Sequence, residues 1–385
     1  MSLTVYMNHG QIDMRHALLS HAHEALNQDN NLTVYYIVPN HVKFDSEVDV
    51  LRRFARLTGQ NPDTSLYAQS RLQVYSLSRL TWALLKDMAT MQPNVIQGTG
   101  LFIMVSDILR DYAGQLPIFA RMQSKAGFVT TLVAQLVELR ASRISPEDLL
   151  TILNQESDDD TFLRQTLSGK LRDLAIVADA LDKKMGHTYI TQQEVLSFFA
   201  TQLATTQLKN VAFYFDGFNG FTSPETQVMI ELMARYPVTV ALLGDVEKLG
   251  SQQPGDLFYK PMTTAQRLAQ FTKIANQQVV WQVPTQARCL DESIISVMSA
   301  WEKLGEYRQF NSENKKTDLA AFVAETTMVE IQEVARRIRQ LLVAQPDLRL
   351  RDILILARDL TPYTGHIPEV MQQFDLPYFL DTDQK

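Results

Sequence analysis

The chain has 385 residues, 45% hydrophobic and 21% charged, a composition that suits a globular protein of two or three domains and excludes a disordered or fibrous one. With 36 basic against 43 acidic residues the formal net charge is −7, which argues against coating of duplex nucleic acid but leaves room for a local basic groove. The single cysteine, Cys289, excludes an internal disulfide and a multi-cysteine metal site, and fits a reducing, cytoplasmic setting. No run approaches the ~20 apolar residues that span a bilayer, and no targeting leader is read at the start.

In chain order, the run 4–7 predicts a strand and 13–28 a helix. Residues 32–38 (LTVYYIV), β-branched and aromatic and closed by Pro39, predict a second strand. A helix near 44–58, a strand at 72–75 and a helix from 77 to about 88 follow. Strands separated by helices predict a parallel, doubly wound α/β sheet. Residues 99–205 change character. Long helical periods such as 127–140 (GFVTTLVAQLVELR) succeed one another, and Ser145-Pro146-Glu147-Asp148 has the cap, first-turn proline and acids of a helix start. Residues 155–160 (QESDDD) read as a solvated loop. No strand is expected in this block, so it reads as an all-helical insertion.

The α/β pattern resumes at 211–215 (VAFYF) and 238–243 (VTVALL), buried strands ending at Asp216-Gly217 and Gly244-Asp245, with another strand at 278–283. Residues 310–317 (FNSENKKT) read as a linker. Beyond it the pattern predicts a strand at 319–325, a helix at 328–343, a strand at 352–357, a helix at 362–374 and the start of a further strand at 377–380. The sequence stops as that strand begins, which predicts a piece of a longer protein.

The chemistry of a nucleotide site can be checked residue by residue. A phosphate-binding loop needs glycines that let backbone N–H groups wrap the phosphates, a lysine and a magnesium-holding hydroxyl. After the first strand this chain reads Asn8-His9-Gly10-Gln11-Ile12-Asp13-Met14-Arg15, with one glycine, no lysine and no Ser or Thr. Arg15 can mimic the lysine, but the scaffold is missing. At the end of the buried strand, where a motor carries two acids, Asp216 is followed by Gly217, so the activating acid is lost. Asp216 is either a residual site residue or a cap of the following turn. Gly10, Arg15 and Asp216 are thus a degenerate nucleotide site. His16, His21 and His23 lack the three- or four-residue spacing of shared ligands and read as surface histidines, so no metal site is assigned. Cys289 has no base identifiable beside it.

Residues 37–47 (IVPNHVKFDSE), 72–85 (LQVYSLSRLTWALL), 127–149, 170–181 (KLRDLAIVADAL), 215–225 (FDGFNGFTSPE) and 352–380 resemble, in order, the N-terminal region of the AddB/RexB family of bacterial helicase–nuclease B subunits. The eroded phosphate loop is most similar to the RexB branch. The resemblance implies a superfamily 1 helicase arrangement: residues 1–95 and 206–310 as a RecA-like domain 1A, 96–205 as a helical insertion 1B, and 311–385 as a linker and the start of a RecA-like domain 2A. It implies an A subunit as heterodimer partner and motor, single-stranded DNA from a duplex end as substrate, and scanning for a recombination signal. The parent's nuclease, with magnesium and an iron–sulfur cluster, is implied to lie outside this chain, which itself is expected to carry no cofactor. Motif positions imply strand contacts at Asn40, His41, Lys43 and Phe44, and at Ser76, Ser78 and Arg79. The plain alternative is a helix cap at Ser76 and Ser78 with Phe44 in the core. At the level of function, the alternative is a scaffold that docks the A subunit with only incidental DNA contact.

Overall fold

A computed structural model describes residues 2–39, 43–61, 69–88, 94–142, 144–155, 162–186, 188–275, 277–289, 291–302 and 320–381. The chain divides into two units, 1–290 with 298–304, and 291–297 with 305–385.

In the first unit the apolar runs become a six-stranded parallel sheet. Its strands are β1 (Ser2–Asn8), β2 (Thr33–Val38), β3 (Leu72–Ser76), β6 (Val211–Phe215), β7 (Val238–Leu243) and β8 (Gln278–Gln282), in the spatial order β3-β2-β6-β7-β1-β8. Central β6 is buried along its whole length, as a parallel strand covered on both faces must be. Edge strand β8 alternates exposed and half-buried. Alternate residues feed two cores. Leu3, Val5, Phe213, Phe215 and Val240 pack against α3 (Leu77–Met88), α8 (Val195–Thr205), α9 (Ser223–Arg235) and α10 (Tyr259–Ile274). Val34, Tyr36, Ala212 and Tyr214 pack against α1 (Met14–Gln28) and α2 (Lys43–Leu57) on the other face. Each large apolar side chain so buried stabilises the fold by roughly 1.5–3 kcal/mol.

β3 and β6 flank β2 in this one sheet although the helical block separates them in sequence. That block is built on α4 (Gly98–Asp111), α5 (Ala126–Ala141), α6 (Pro146–Gln155) and α7 (Phe162–Met185), around Leu101, Val105, Ile108, Leu132, Leu136, Val177 and Leu181. A fully buried acid on α7, Asp173, takes the N–H groups of Ile118 and Phe119 at 2.9 and 2.8 Å and so fixes the turn between α4 and α5. Arg140 ties α5 to Asp182 and, at 2.9 Å, to Glu194.

The expectation of no strand here is corrected. β5 (Tyr189–Thr191) pairs in parallel with β4 (Asn94–Ile96) in a separate two-stranded sheet. Three residues are too few for a period of two to show in a sequence.

In the second unit, α12 (Thr327–Ala344) and α13 (Ile367–Gln373) pack through Ile331, Ala335, Ile338, Val370, Met371 and Leu376. The strands expected at 319–325, 352–357 and 377–380 are corrected: among the described residues of these stretches none is a strand, and Leu350–Asp352 is a 3-10 turn. The expected helix 362–374 shortens to α13. A strand requires a neighbour for its N–H and C=O groups, and none of the described residues here supplies one. The linker expected at 310–317 lies outside the described residues.

Candidate functional site

The C-terminal ends of parallel strands carry the ligand crevice of open α/β sheets. Here that edge gathers the loop after β1, the start of α1, the end of β6 and a face of α2. Asp13 caps α1, accepting the His16 N–H at 3.0 Å. The donors that would wrap a phosphate are turned inward. His9 N–H donates to Asn8 Oδ1 at 2.7 Å, Gly10 N–H to Glu302 Oε1 at 3.1 Å, Ile12 N–H to the His9 carbonyl at 3.1 Å, and Asp13 N–H to the Gln286 carbonyl at 2.8 Å. The segment around Gln286 runs along the loop, with Arg288 N–H donating to the Gln11 carbonyl at 2.7 Å.

The charges are equally committed. Arg15 Nε donates to Asp216 Oδ2 at 2.6 Å and its Nη1 to Asp49 Oδ2 at 2.9 Å. Arg53 Nε reaches the same Asp49 oxygen at 2.9 Å, and its Nη1 reaches Asp13 Oδ2 at 2.7 Å. The result is a chain of alternating sign, Asp216–Arg15–Asp49–Arg53–Asp13, whose Asp216 end has only 6% of its side chain exposed. Burial disfavours the Arg15 charge, but the Asp216 and Asp49 carboxylates outweigh it and hold the guanidinium above its usual range. For Asp49 burial works against the charge, and the hydrogen bonds from Arg15 and Arg53 win, lowering its pKa. Tyr36 is wholly buried beside this pair. Burial first, and then the Asp216 charge, keep its phenol protonated well above the ordinary value.

Two glycines shape the edge. Gly217 has φ +78°, so the turn after Asp216 needs the left-handed region. At Gly244 (φ +150°) a Cβ would meet Met262 Cγ at 2.5 Å.

The cavity at this edge measures about 320 Å³ and is lined by Gly10, Asp13, Arg15, Asp49, Arg53, Asp216 and Arg288 among others. A groove of about 740 Å³ beside α9 and α10 is larger, but its one ionisable lining residue is Arg267, so the chemistry lies in the smaller cavity. Magnesium nucleotide does not fit the smaller one. The lysine mimic is spent on Asp216, the N–H groups of His9, Gly10, Ile12 and Asp13 are bonded within the protein, and the loop offers no hydroxyl. Among the described residues no group of three His, Cys, Asp or Glu could hold a metal ion.

The structure brings Gly10, Arg15 and Asp216 to one edge and places Ser76, Ser78 and Arg79 at the end of β3 on the same edge. Buried Ser76 accepts the Arg79 N–H at 3.4 Å, a helix-cap contact. Ser78 is half-buried. Arg79 is exposed, donates to Glu47 at 3.0 Å and lies 5.5 Å from the centre of the Tyr75 ring. Asn40 and His41 lie outside the described residues, as do the side chains of Lys43 and Phe44 at the start of α2.

The surface reading is corrected for one of the histidines: His16 and His23 are partly exposed, whereas His21 sits between Tyr6 and Tyr214, its Nδ1 3.2 Å from the Tyr214 hydroxyl. Cys289 is half-buried. Sequence reasoning missed Asp13, Asp49, Arg53 and Glu302. The Asp49–Arg53 spacing of four was the one available signal, since it puts both on a single helix face.

Residues 10–295 match the family model described as ADDB, N-terminal. The chain is 99% identical over all its 385 residues to the B subunit of the ATP-dependent helicase/deoxyribonuclease of Leuconostoc citreum, 33% of which it covers. It is 56% identical to the protein of the same name in Leuconostoc mesenteroides, over all of this chain and 33% of the relative. For the Oenococcus oeni protein the identity is 35%, over all of this chain and 32% of the relative. The chain therefore spans about a third of the length of the curated relatives it matches.

Proposed function

This chain belongs to the AddB N-terminal family, and on that premise we propose that it is the helicase-like, ATPase-degenerate part of the B subunit of an ATP-dependent helicase/exonuclease, handling DNA at double-strand ends for homologous recombination. The observation that carries the degenerate reading is the Arg15–Asp216 pair at 2.6 Å, where a motor would hold phosphate and magnesium. In this reading the six-stranded sheet is a RecA-like domain 1A of superfamily 1 type, from residues 1–95 and 206–310. Residues 96–205 are the 1B insertion, and 311–385 the linker and start of domain 2A. β3 and β6 sharing one sheet across the insertion supports that division.

The partner is the A subunit, which supplies the working motor, and the setting is the cytoplasm. No helix among the described residues is long and apolar enough to cross a membrane. An iron–sulfur cluster held by four thiolates does not fit this chain, which has one cysteine. The cluster and the magnesium-dependent nuclease are assigned to the remaining two thirds of the parent.

The work left to this chain is to guide a single strand, scanning for a recombination signal included, along the edge bearing Asn40, His41, Lys43, Phe44, Ser76, Ser78 and Arg79. A second reading, a scaffold that docks the A subunit, is favoured by one observation: Arg79 is already paired with Glu47. Two measurements test the proposal. The purified chain turns over no ATP with magnesium; turnover that disappears in Asp216→Asn overturns the degenerate reading. In the complex, single-strand affinity falls with salt and depends on this edge; indifference to mutation there gives the scaffold reading the case.

A further inference from the structure

The loop 9–11 lies against the last turn of α11 (Glu292–Glu302), and what faces it there is a carboxylate. Glu302 Oε1 accepts the Gly10 N–H at 3.1 Å. Its Oε2 lies 3.3 Å from His9 Nδ1 and 3.4 Å from Gln11 Nε2, and Gln11 Nε2 also donates to Ser299 Oγ at 2.8 Å. Two of these successive residues, Gly10 and Gln11, thus donate to one side chain that is only 11% exposed, with the His9 ring beside it.

Two further facts mark this as a fitted site rather than a chance approach. A carboxylate on the final residue of a helix sits at the negative end of the helix dipole, an unfavourable place that needs compensation from elsewhere. In addition, a Cβ at Gly10 would stand in ordinary contact, 3.5 Å from the Met298 methyl and 3.6 Å from Glu302 Oε1, so the last turn of α11 faces Gly10 across a gap that a single methyl would fill.

We propose that residues 9–11 form a carboxylate-binding site whose ligand is the chain's own Glu302, held where a phosphate loop would hold an anion. The eroded loop has kept its preference for negative charge through a backbone N–H and the neighbouring Gln11 amide, and the protein supplies that charge internally. Glu302 closes the site against phosphate and at the same time anchors the end of α11. The assignment rests on the degenerate reading above for its account of the loop's origin.

The test is amide hydrogen exchange on the full chain, comparing wild type, Glu302→Gln and Glu302→Ala, each with and without added inorganic phosphate. Thermal melts establish that the variants are folded. In Glu302→Ala, exchange at Gly10 and at residues 299–302 rises about tenfold or more, since a charge-assisted hydrogen bond is lost. Phosphate then slows Gly10 again in that variant but not in wild type. Glu302→Gln, which keeps one acceptor oxygen, falls between. Unchanged exchange in folded Glu302→Ala overturns the proposal, and so does a rise that phosphate fails to reverse. ATP turnover by the wild type would sink the degenerate reading whatever the exchange result, and exchange failure without turnover sinks only the Glu302 assignment.

Discussion

β6 (VAFYF) and the run 352–357 (DILILA) carry comparable apolar and β-branched content, yet Phe213 and Phe215 are fully buried while Leu354 and Leu356 are 77% and 82% exposed. The difference is in their neighbours. β6 has β2 on one side and β7 on the other, with helices over both faces; the second run has no paired strand among the described residues. Strand propensity is mostly a statement about packing on a pleated surface, so the same residue types specify a strand only where the surface exists.

The largest expected effect follows from that contrast. Phe213→Ala should cost about 3–5 kcal/mol in urea unfolding, because it leaves a cavity between Tyr35 and Tyr236. Leu354→Ala should change stability by no more than about 0.5 kcal/mol, as exposed substitutions do. Equal costs at the two positions would break the comparison, because they would mean that 352–357 is packed after all.

Within the first unit the comparison sharpens between apolar core and charged edge. Arg15→Ala should cost about 3 kcal/mol, since it strands Asp216 in a nearly closed environment. The double change Arg15→Met with Asp216→Leu should recover most of that loss, because replacing both charges removes their desolvation penalty. A double variant no better than Arg15→Ala would mean that the pair stabilises through its geometry rather than through charge balance.

A smaller effect concerns His21. Burial between Tyr6 and Tyr214 holds its pKa below the ordinary 6.5. The unfolded chain therefore takes up the proton first, and the stability contributed by neutral His21 is present above pH 6.5 and lost as pH falls towards the folded value. His21→Phe should flatten this part of the stability curve below pH 6.5. A variant with the wild-type slope would assign the dependence to other groups.

Most of the first sheet was legible, and β2, β6 and β7 most plainly, because each of these three is a dense β-branched or aromatic run closed by Pro39, Asp216-Gly217 or Gly244-Asp245. β5 was not, since Tyr189–Thr191 is too short to show a period. In the second unit the apolar runs were legible but the lack of pairing among the described residues was not, because pairing belongs to neighbours and not to the run. At the site, Arg15 and Asp216 could be named from motif position. Their mutual bond could not, as it joins residues far apart in sequence across the sheet. Glu302 was invisible for the same reason: only the fold brings the end of α11 to the loop after β1.

The smallest expected effect falls at the exposed end of the same edge, and it decides between guiding a strand and docking a partner. Arg79 is solvent-accessible and shares its charge with Glu47 across 3.0 Å. An exposed pair of this kind is worth only about 0–1 kcal/mol, so a phosphate can displace Glu47 without large cost. If Lys43 and Arg79 each neutralise one phosphate, replacing either by alanine in the complex should reduce the logarithmic salt slope of single-strand binding by roughly 0.7. The loss should be alike for unrelated sequences, because backbone contacts position a strand without reading it. Glu47→Gln should act in the opposite sense and tighten binding slightly at low salt, since Arg79 is then released to the strand. An unchanged salt slope in a folded Lys43→Ala/Arg79→Ala double variant, with Glu47→Gln also silent, would remove this edge from the DNA path and leave the ion pair as a surface contact in a docking scaffold.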